Sequence, residues 1–143
     1  MYSVPDWVRD AIFYEIFPER YTNRNPDNDP PYVEMWGGIP IRTSFFGGDL
    51  QGIIDKLDYL EALGINAIYL TPIFTANTSH KYDAIDYCQV DPHFGDLNTF
   101  RLLLKEAHNR GVQILLDAVF NHVGDGFWTF QDMVERGETP PYV

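Results

Sequence analysis

The chain contains three short apolar segments, and each has the length of a β-strand. They are Ala11–Phe17 (AIFYEIF), Ala67–Leu70 (AIYL) and Val112–Leu116 (VQILL). Each is rich in β-formers and is apolar on both faces. This pattern is typical of parallel strands that are covered on both sides of the sheet.

Two segments between these strands carry apolar residues at helical spacing. Leu50–Leu63 has them at positions 50, 53, 54, 57 and 60, and Phe100–Arg110 has them at positions 100, 103, 104 and 107. Gly64 and Gly111 follow directly, and glycine commonly ends a helix. The order strand, helix, strand, helix, strand predicts an α/β fold with right-handed crossovers between parallel strands.

Near the carboxyl terminus the periodicity is weaker. Phe127–Arg136 is predicted to be a short helix, and the tail at residues 137–143 (GETPPYV) is predicted to be a loop.

The predicted loops are long only where they follow a strand. Pro18–Asp49 follows the first strand, Thr71–Thr99 follows the second, and a third loop opens at Asp117. In α/β folds, loops at the carboxyl ends of parallel strands carry the functional sites. Three strands cannot close a barrel, so a flavodoxin-like half fold is an alternative interpretation. That alternative lacks a glycine-rich phosphate loop, because PERY follows the first strand.

Composition and charge exclude several classes of function. The chain has 21 acidic and 10 basic residues and a formal net charge of −11, which repels phosphate backbones and argues against a nucleic-acid partner. No membrane span is predicted, since no apolar run reaches about 18 residues. No signal peptide is predicted either, because residues 1–10 show no positively charged region followed by an apolar stretch. Cys88 is the only cysteine, so no internal disulfide and no cysteine cluster for zinc is expected.

A carboxylate, an amide and an imidazole emerge together after the third strand. They belong to Asp117, Asn121 and His122 in the segment DAVFNH. In a (β/α)8 barrel this end of a strand faces the active site. The alternative is that Asp117 caps a turn and His122 hydrogen-bonds to a loop. The chemistry of these residues alone leaves both interpretations open.

Six motifs, in the right order along the chain, resemble segments of the α-amylase family of glycoside hydrolases. They are AIFYEIFPERY, SFFGGDLQG, LGINAIYLTP, HKYDAID, VDPHFG and DAVFNH. The sequences of these motifs are most similar to those of the group of neopullulanases, cyclomaltodextrinases and maltogenic amylases. The resemblance implies that residues 1–143 are the N-terminal fragment of a catalytic (β/α)8 TIM barrel, about its first three βα units, with the rest of the barrel and the flanking domains absent. It also implies retaining hydrolysis of α-1,4-glucosidic bonds in cyclodextrins, pullulan or starch.

The resemblance separates sugar-binding residues from catalytic ones. Retaining glycosidases use two carboxyl groups about 5 Å apart, and in this family the essential acidic residues follow strands four, five and seven. We therefore expect no catalytic residue in this chain and no activity from it alone. By resemblance, Tyr82 stacks on a glucose ring, His122 hydrogen-bonds to a hydroxyl of that sugar, and Asp117 holds neighbouring side chains. His80 is a further candidate for substrate binding, and a buried core position is the alternative for Tyr82.

The first loop concentrates residues that offer oxygen ligands. They are Asn23, Asn25, Asn28, Asp29, Gly47 and Asp49. Oxygen ligands without sulfur or imidazole favour a hard cation such as Ca²⁺. However, asparagine and aspartate are also common turn residues, and Asp49 is well placed to be a helix N-cap.

The spacing of these residues resembles the calcium site of the neopullulanase group. The resemblance implies a structural calcium ion that ties the loop to the first helix and offsets loop entropy. That group often has aspartate where this chain has Asn25, so the neutral amide is expected to weaken the site.

Two other functions stay open on the sequence alone. One is a related enzyme of the same clan, such as an α-glucosidase or a trehalose- or sucrose-active enzyme. The other is a non-catalytic barrel relative that binds sugar or calcium. SFFGGDLQG and the calcium-type loop favour the neopullulanase group. We further expect an α-glucan oligosaccharide substrate, no membrane partner, a cytoplasmic location and, for the full-length protein, a homodimer.

Overall fold

The computed structural model describes residues 3–137, and its regular elements are short strands and α-helices. In chain order they are β1 (Phe13–Ile16), α1 (Leu50–Asp55), α2 (Leu57–Ala62), β2 (Ala67–Leu70), β3 (Phe74–Ala76), β4 (Ala84–Val90), α3 (Leu97–Asn109), β5 (Gln113–Leu116) and α4 (Trp128–Arg136). Short 3-10 turns cover Asp6–Asp10, Pro18–Arg20, Pro26–Asn28 and Pro92–Phe94. Residues 138–143, which hold most of the predicted tail loop, lie outside the described residues.

The three predicted strands form one parallel sheet in the order β1-β2-β5. Ile16, Leu70 and Leu116 are in register at the carboxyl ends. The expected parallel α/β arrangement is therefore confirmed. Because all three strands end at the same edge, the long loops that follow them share one side of the molecule.

The expectation of strands covered on both faces is right only for β2. Ala67, Ile68 and Leu70 are fully buried, whereas Phe13 of β1 is 47% exposed and every residue of β5 is half-buried. β1 and β5 are the outer strands of this sheet within residues 3–137. Their apolar side chains therefore have a neighbouring strand on one side only.

The helix predicted over Leu50–Leu63 is two helices. α1 ends at Asp55 and α2 begins at Leu57, with Lys56 between them at φ −104° and ψ 1°. The apolar side chains at positions 50, 53, 57 and 60 are nevertheless all fully buried. The predicted face was therefore correct, while the break at Lys56 was not foreseen.

The second predicted helix begins three residues earlier than expected. α3 starts at Leu97 because the Asp96 carboxylate accepts a hydrogen bond from Thr99 N at 2.7 Å and caps its first turn. Leu103 and Ala107 of α3 pack into the same core as Ile16, Ile68 and Leu70. This core lies between the helices and the sheet and fixes the strand ends from which the loops depart.

The second long loop contains a hairpin that the sequence did not predict. β3 and β4 pair antiparallel, with register shifts between Phe74 and Thr75 and between Thr75 and Ala76. After β5 the predicted short helix is confirmed as α4. No helix within residues 3–137 is long and apolar enough to cross a bilayer.

Candidate functional site

Asp117 and Tyr82 meet above the carboxyl end of the sheet. Asp117 follows the last residue of β5, and its backbone N–H donates to the carbonyl oxygen of Leu70 at 2.9 Å. Tyr82 lies in the turn between β3 and β4 and is 37% exposed. Its hydroxyl donates a 2.7 Å hydrogen bond to Asp117 Oδ2. The hairpin therefore brings Tyr82 to the end of a strand 35 residues further along the chain.

The Asp117 carboxylate affects the pKa values of two tyrosines. Burial raises the pKa of Tyr82 to about 12, and the hydrogen bond to Asp117 and its negative charge add to that effect. Burial also raises the pKa of Tyr69 of β2, and the next cause is again a hydrogen bond to Asp117. Both phenols therefore keep their protons at neutral pH, and the Tyr82 hydroxyl donates its hydrogen bond to Asp117.

His122 is tied to the backbone of the same tyrosine. Its Nε2 lies 3.0 Å from the carbonyl oxygen of Tyr82. Because a carbonyl only accepts, Nε2 is the donor, which leaves Nδ1 of the neutral ring as an acceptor. The Tyr87 hydroxyl donates to the carbonyl oxygens of Val119 and His122, the latter at 3.3 Å. The loop after β5 is thus fastened to the hairpin at both Tyr82 and Tyr87.

His80 completes the turn that carries Tyr82. Its Nδ1 accepts a hydrogen bond from Tyr82 N at 3.1 Å, so the proton of the neutral ring lies on Nε2. The centroids of the His80 and Tyr82 rings are 5.9 Å apart. All four predicted substrate-binding residues therefore lie in one place: Tyr82, Asp117, His122 and His80.

Tyr69 and Tyr87 belong to this cluster and were missed. Tyr69 stands inside the apolar run AIYL, and Tyr87 stands inside β4. A tyrosine in a strand has an apolar body and a hydroxyl that requires a partner when it is buried. That requirement was the one available signal, but it does not identify the partner.

The predicted oxygen ligands of the first loop also come together. Asn23 Nδ2 donates a 2.7 Å hydrogen bond to Asp29 Oδ1. Gly47 lies against both residues, because a Cβ at this position would be 2.4 Å from Asp29 Oδ1 and 2.5 Å from Asn23 Nδ2. Its φ of 75° also requires the left-handed region that glycine tolerates. The backbone of Gly47 therefore forms one side of a tight oxygen-rich cradle.

Two side-chain oxygens of the predicted ligand set lack a protein partner. Asn23 Oδ1 and Asn28 Oδ1 are buried and accept no hydrogen bond, and a buried polar atom without a partner is unfavourable. Within residues 3–137 no three His, Cys, Asp or Glu side chains converge as metal ligands. An ion here would therefore take most of its oxygens from amides and backbone carbonyls. Ca²⁺ accepts such a ligand set, and the residues present fit it.

Asp49 has a structural role in the cradle that does not depend on an ion. Its side chain is fully buried, and Oδ1 caps α1 by accepting from Gly52 N at 2.5 Å. Oδ2 accepts from the backbone N–H groups of Arg24 and Asn25 at 3.0 and 2.7 Å. The N-cap interpretation is therefore correct, and the same carboxylate also ties the loop to the helix. A carboxylate has about four acceptor positions, so these three bonds leave capacity for a cation.

Comparison with known proteins gives a consistent set of relatives. The family described as "Alpha amylase, catalytic domain" matches residues 15–142. Neopullulanase 2 of Thermoactinomyces vulgaris is 53% identical over 99% of this chain. Intracellular maltogenic amylase of Bacillus subtilis (strain 168) is 52% identical, also over 99% of the chain. The chain spans 25% and 24% of the length of these two relatives.

Solved structures agree with the sequence relatives. The cyclic alpha-maltosyl-(1→6)-maltose hydrolase from Arthrobacter globiformis, in complex with cyclic alpha-maltosyl-(1→6)-maltose, superposes with a TM-score of 0.95. It is 55% identical, and the match covers 99% of this chain and 32% of that one. A cyclomaltodextrinase superposes with a TM-score of 0.89 at 52% identity, with 99% and 24% coverage.

Proposed function

Since the chain belongs to the α-amylase family and its fold is a partial (β/α)8 barrel, we propose that it forms one wall of the sugar-binding site of a retaining α-glucan hydrolase. The observation that carries the proposal is the convergence of Tyr82, Asp117 and His122 at the carboxyl ends of the parallel strands. In barrels of this kind, that end holds the active site.

The proposed roles follow from the geometry. The partly exposed ring of Tyr82 offers an apolar face to the C–H groups of a pyranose. His122 offers Nδ1 to a sugar hydroxyl, while its Nε2 holds the ring against the Tyr82 backbone. Asp117 keeps the Tyr82 phenol in place. None of these groups needs to break the glycosidic bond, and we assign them to binding and positioning.

The test is hydrolysis of β-cyclodextrin, pullulan and starch by the whole gene product, meaning this chain with any sequence that its gene encodes on either side. We expect glucan cleavage, and a Tyr82→Ala variant should lower kcat/KM by roughly 10- to 100-fold. Tyr82→Phe keeps the ring and loses only the bond to Asp117, so its effect should be smaller. Tyr59→Ala removes an exposed tyrosine of α2 and should change nothing.

Two results would contradict this proposal. Action on sucrose or trehalose without action on any of the three glucans would instead support a related enzyme of the same clan. Equal activities for Tyr82→Ala and Tyr59→Ala would remove Tyr82 from the sugar site while leaving the reaction class intact.

For the first loop, the proposal includes a structural calcium ion bound by Asn23, Asn25, Asn28, Asp29, Gly47 and Asp49. Its support is the pair of buried amide oxygens without partners and the tight cradle at Gly47. When bound, the ion supplies a rigid cross-link between the first loop and α1. It takes no part in bond cleavage.

Replacing Asn25 by aspartate is expected to tighten calcium binding by about tenfold, because affinity in such sites rises with the number of charged ligands. The measurement is the increase in Tm of the whole gene product on adding calcium after chelation. Asn109→Asp, at the exposed carboxyl end of α3, makes the same change of charge outside the cradle and should leave that increase unaltered. Absence of any calcium-dependent increase in both wild type and Asn25→Asp would exclude the site.

Two further expectations stay proposals. An intracellular location is supported by the 52% identical relative that is named an intracellular maltogenic amylase. Pairing of the whole gene product as a homodimer rests on the family resemblance alone.

A further inference from the structure

A lysine without solvent exposure lies directly beside the proposed sugar-stacking tyrosine. Lys81 is 0% exposed, and its Nζ forms a 2.6 Å ion pair with Asp91 Oδ2, which is also buried. Nζ donates a second bond to the carbonyl oxygen of Ala76 at 3.2 Å. It also lies 5.7 and 5.4 Å from the ring centroids of Phe45 and Phe94. A lysine is almost never fully buried unless its charge is paired, so this arrangement is specific.

The partner of Lys81 connects the ends of the hairpin. Asp91 Oδ2 also accepts from Ala76 N at 3.1 Å, and Oδ1 accepts from His93 N at 3.0 Å. Asp91 N in turn donates to the carbonyl oxygen of Ile73 at 2.9 Å. The ion pair therefore links the turn at residue 81 to the end of β3 and to the residue that follows β4.

The backbone at Lys81 is the second unusual feature. Its φ is 60°, and within residues 3–137 it is the only non-glycine residue with a positive φ. A residue other than glycine rarely adopts this left-handed backbone conformation. Where one does, contacts of the surrounding structure hold it there. At Lys81 the ion pair with Asp91 and the bond to Ala76 O are the side-chain contacts that could act as such a constraint. The next residue, Tyr82, then directs its hydroxyl to Asp117 and its backbone N–H to His80.

We propose that Lys81 is a positioning residue: its buried ion pair with Asp91 holds the turn in the left-handed conformation and so sets the Tyr82 ring against Asp117 before any sugar binds. The inference deepens the proposed function, since it rests on Tyr82 as the stacking face. Its geometric part, however, is independent of sugar. Neither Lys81 nor Asp91 touches the sugar in this proposal, and both act through Tyr82.

The test follows Tyr82 itself by ¹⁹F NMR of the whole gene product labelled with 3-fluorotyrosine, its resonance assigned by its loss in Tyr82→Phe. In Lys81→Met and in Asp91→Asn, recorded below the melting temperature, we expect this resonance to move toward that of the exposed Tyr32 or to broaden. Leu103→Ala destabilises the core of α3 without touching the turn, and it should leave the Tyr82 resonance in place. If both single variants fail to fold, the double variant Lys81→Met/Asp91→Asn, which removes both charges, is measured instead.

An unchanged Tyr82 resonance in the variants that fold would overturn the positioning role. Where it moves, kcat/KM for β-cyclodextrin should fall by about 10- to 100-fold, as expected when a binding group is misplaced by about 1 Å. The proposed function is tested separately by adding β-cyclodextrin to the wild type. A Tyr82 resonance that does not respond to the sugar would refute the stacking role of Tyr82, even if the variants show that Lys81 positions it.

Discussion

Replacing Asp91 by alanine is expected to lower the free energy of unfolding by about 3 to 5 kcal/mol, because it leaves the Lys81 ammonium group buried without the carboxylate that it contacts. The carbonyl oxygen of Ala76 is the one other hydrogen-bond acceptor that Nζ reaches within residues 3–137. The backbone N–H groups of Ala76 and His93 lose their acceptor at the same time. The measurement is equilibrium denaturant-induced unfolding of the whole gene product, in which the free energy of unfolding of the variant is compared with that of the wild type.

A double-variant cycle separates the ion pair from ordinary packing. Lys81→Met/Asp91→Asn removes both charges, and its effect should be smaller than the sum of the two single effects by about 2 kcal/mol or more. Arg24 and Asp55 form a matched pair at the surface, 2.8 Å apart with side chains 65% and 38% exposed, and their coupling should stay below about 1 kcal/mol. Simple additivity at Lys81 and Asp91 would show that the buried pair does not act as a unit.

The three strands of the parallel sheet could be predicted to within one or two residues because their apolar runs are isolated. Ala67–Leu70 coincides with β2, which is the one strand with a neighbour on both sides within residues 3–137. Ala11 and Ile12 are apolar but precede β1, where the Asn66 side chain accepts from Ile12 N at 2.6 Å and donates to Asp10 O at 2.9 Å. A side chain 54 residues away thus holds the start of the sheet. Apolar periodicity carries no information about such a contact.

The helices show the same limit of periodicity. The buried stripe of α1 and α2 was evident, but the break at Lys56 interrupts the backbone without interrupting the stripe. At α3 the first helical residue, Leu97, is half exposed and lies outside the buried face, and the start of the helix is set by the cap residue Asp96. Caps are hydrogen-bonding features, and they have to be sought separately from the apolar face.

In the candidate site, the predicted sugar-binding residues could be identified from the sequence, but the residues that position them could not. Tyr82, Asp117 and His122 were identified through family motifs, and the structure brings them together. The residues that hold them were not identified. The hairpin β3–β4 was missed because its strands are short and irregular in register, so their alternation is poorly defined. From the sequence alone Lys81 would be predicted to lie at the surface. The burial of its charge depends on Asp91, ten positions later, and on the rings of Phe45 and Phe94.

Replacing Gly48 by alanine is expected to destabilise the protein by about 3 kcal/mol or more, because the new Cβ meets backbone rather than a flexible side chain. It would lie 2.1 Å from the carbonyl oxygen of Pro18 and 2.6 Å from the carbonyl carbon and oxygen of Glu19. Gly48 N donates to that same Glu19 oxygen at 2.8 Å, and the Glu19 carboxylate accepts from Phe46 N and Gly47 N. The segment before α1 is thus fastened to the exit of β1, and it cannot move away without losing these bonds.

Gly126→Ala is the matched control for this close approach. The nearest atom to its added Cβ is the Cγ2 methyl of Ile85, at 3.1 Å. This contact is with a side chain rather than with backbone and needs a shift of only a few tenths of an ångström, so the change in the free energy of unfolding should stay below about 1 kcal/mol. Because Gly48 lies between Gly47 and Asp49, Gly48→Ala should also abolish the calcium-dependent increase in Tm, whereas Gly126→Ala should retain it. Thermal unfolding of both variants with and without calcium measures the two effects together. A Gly48→Ala variant as stable as Gly126→Ala would mean that the two backbone segments are not held at this distance in solution.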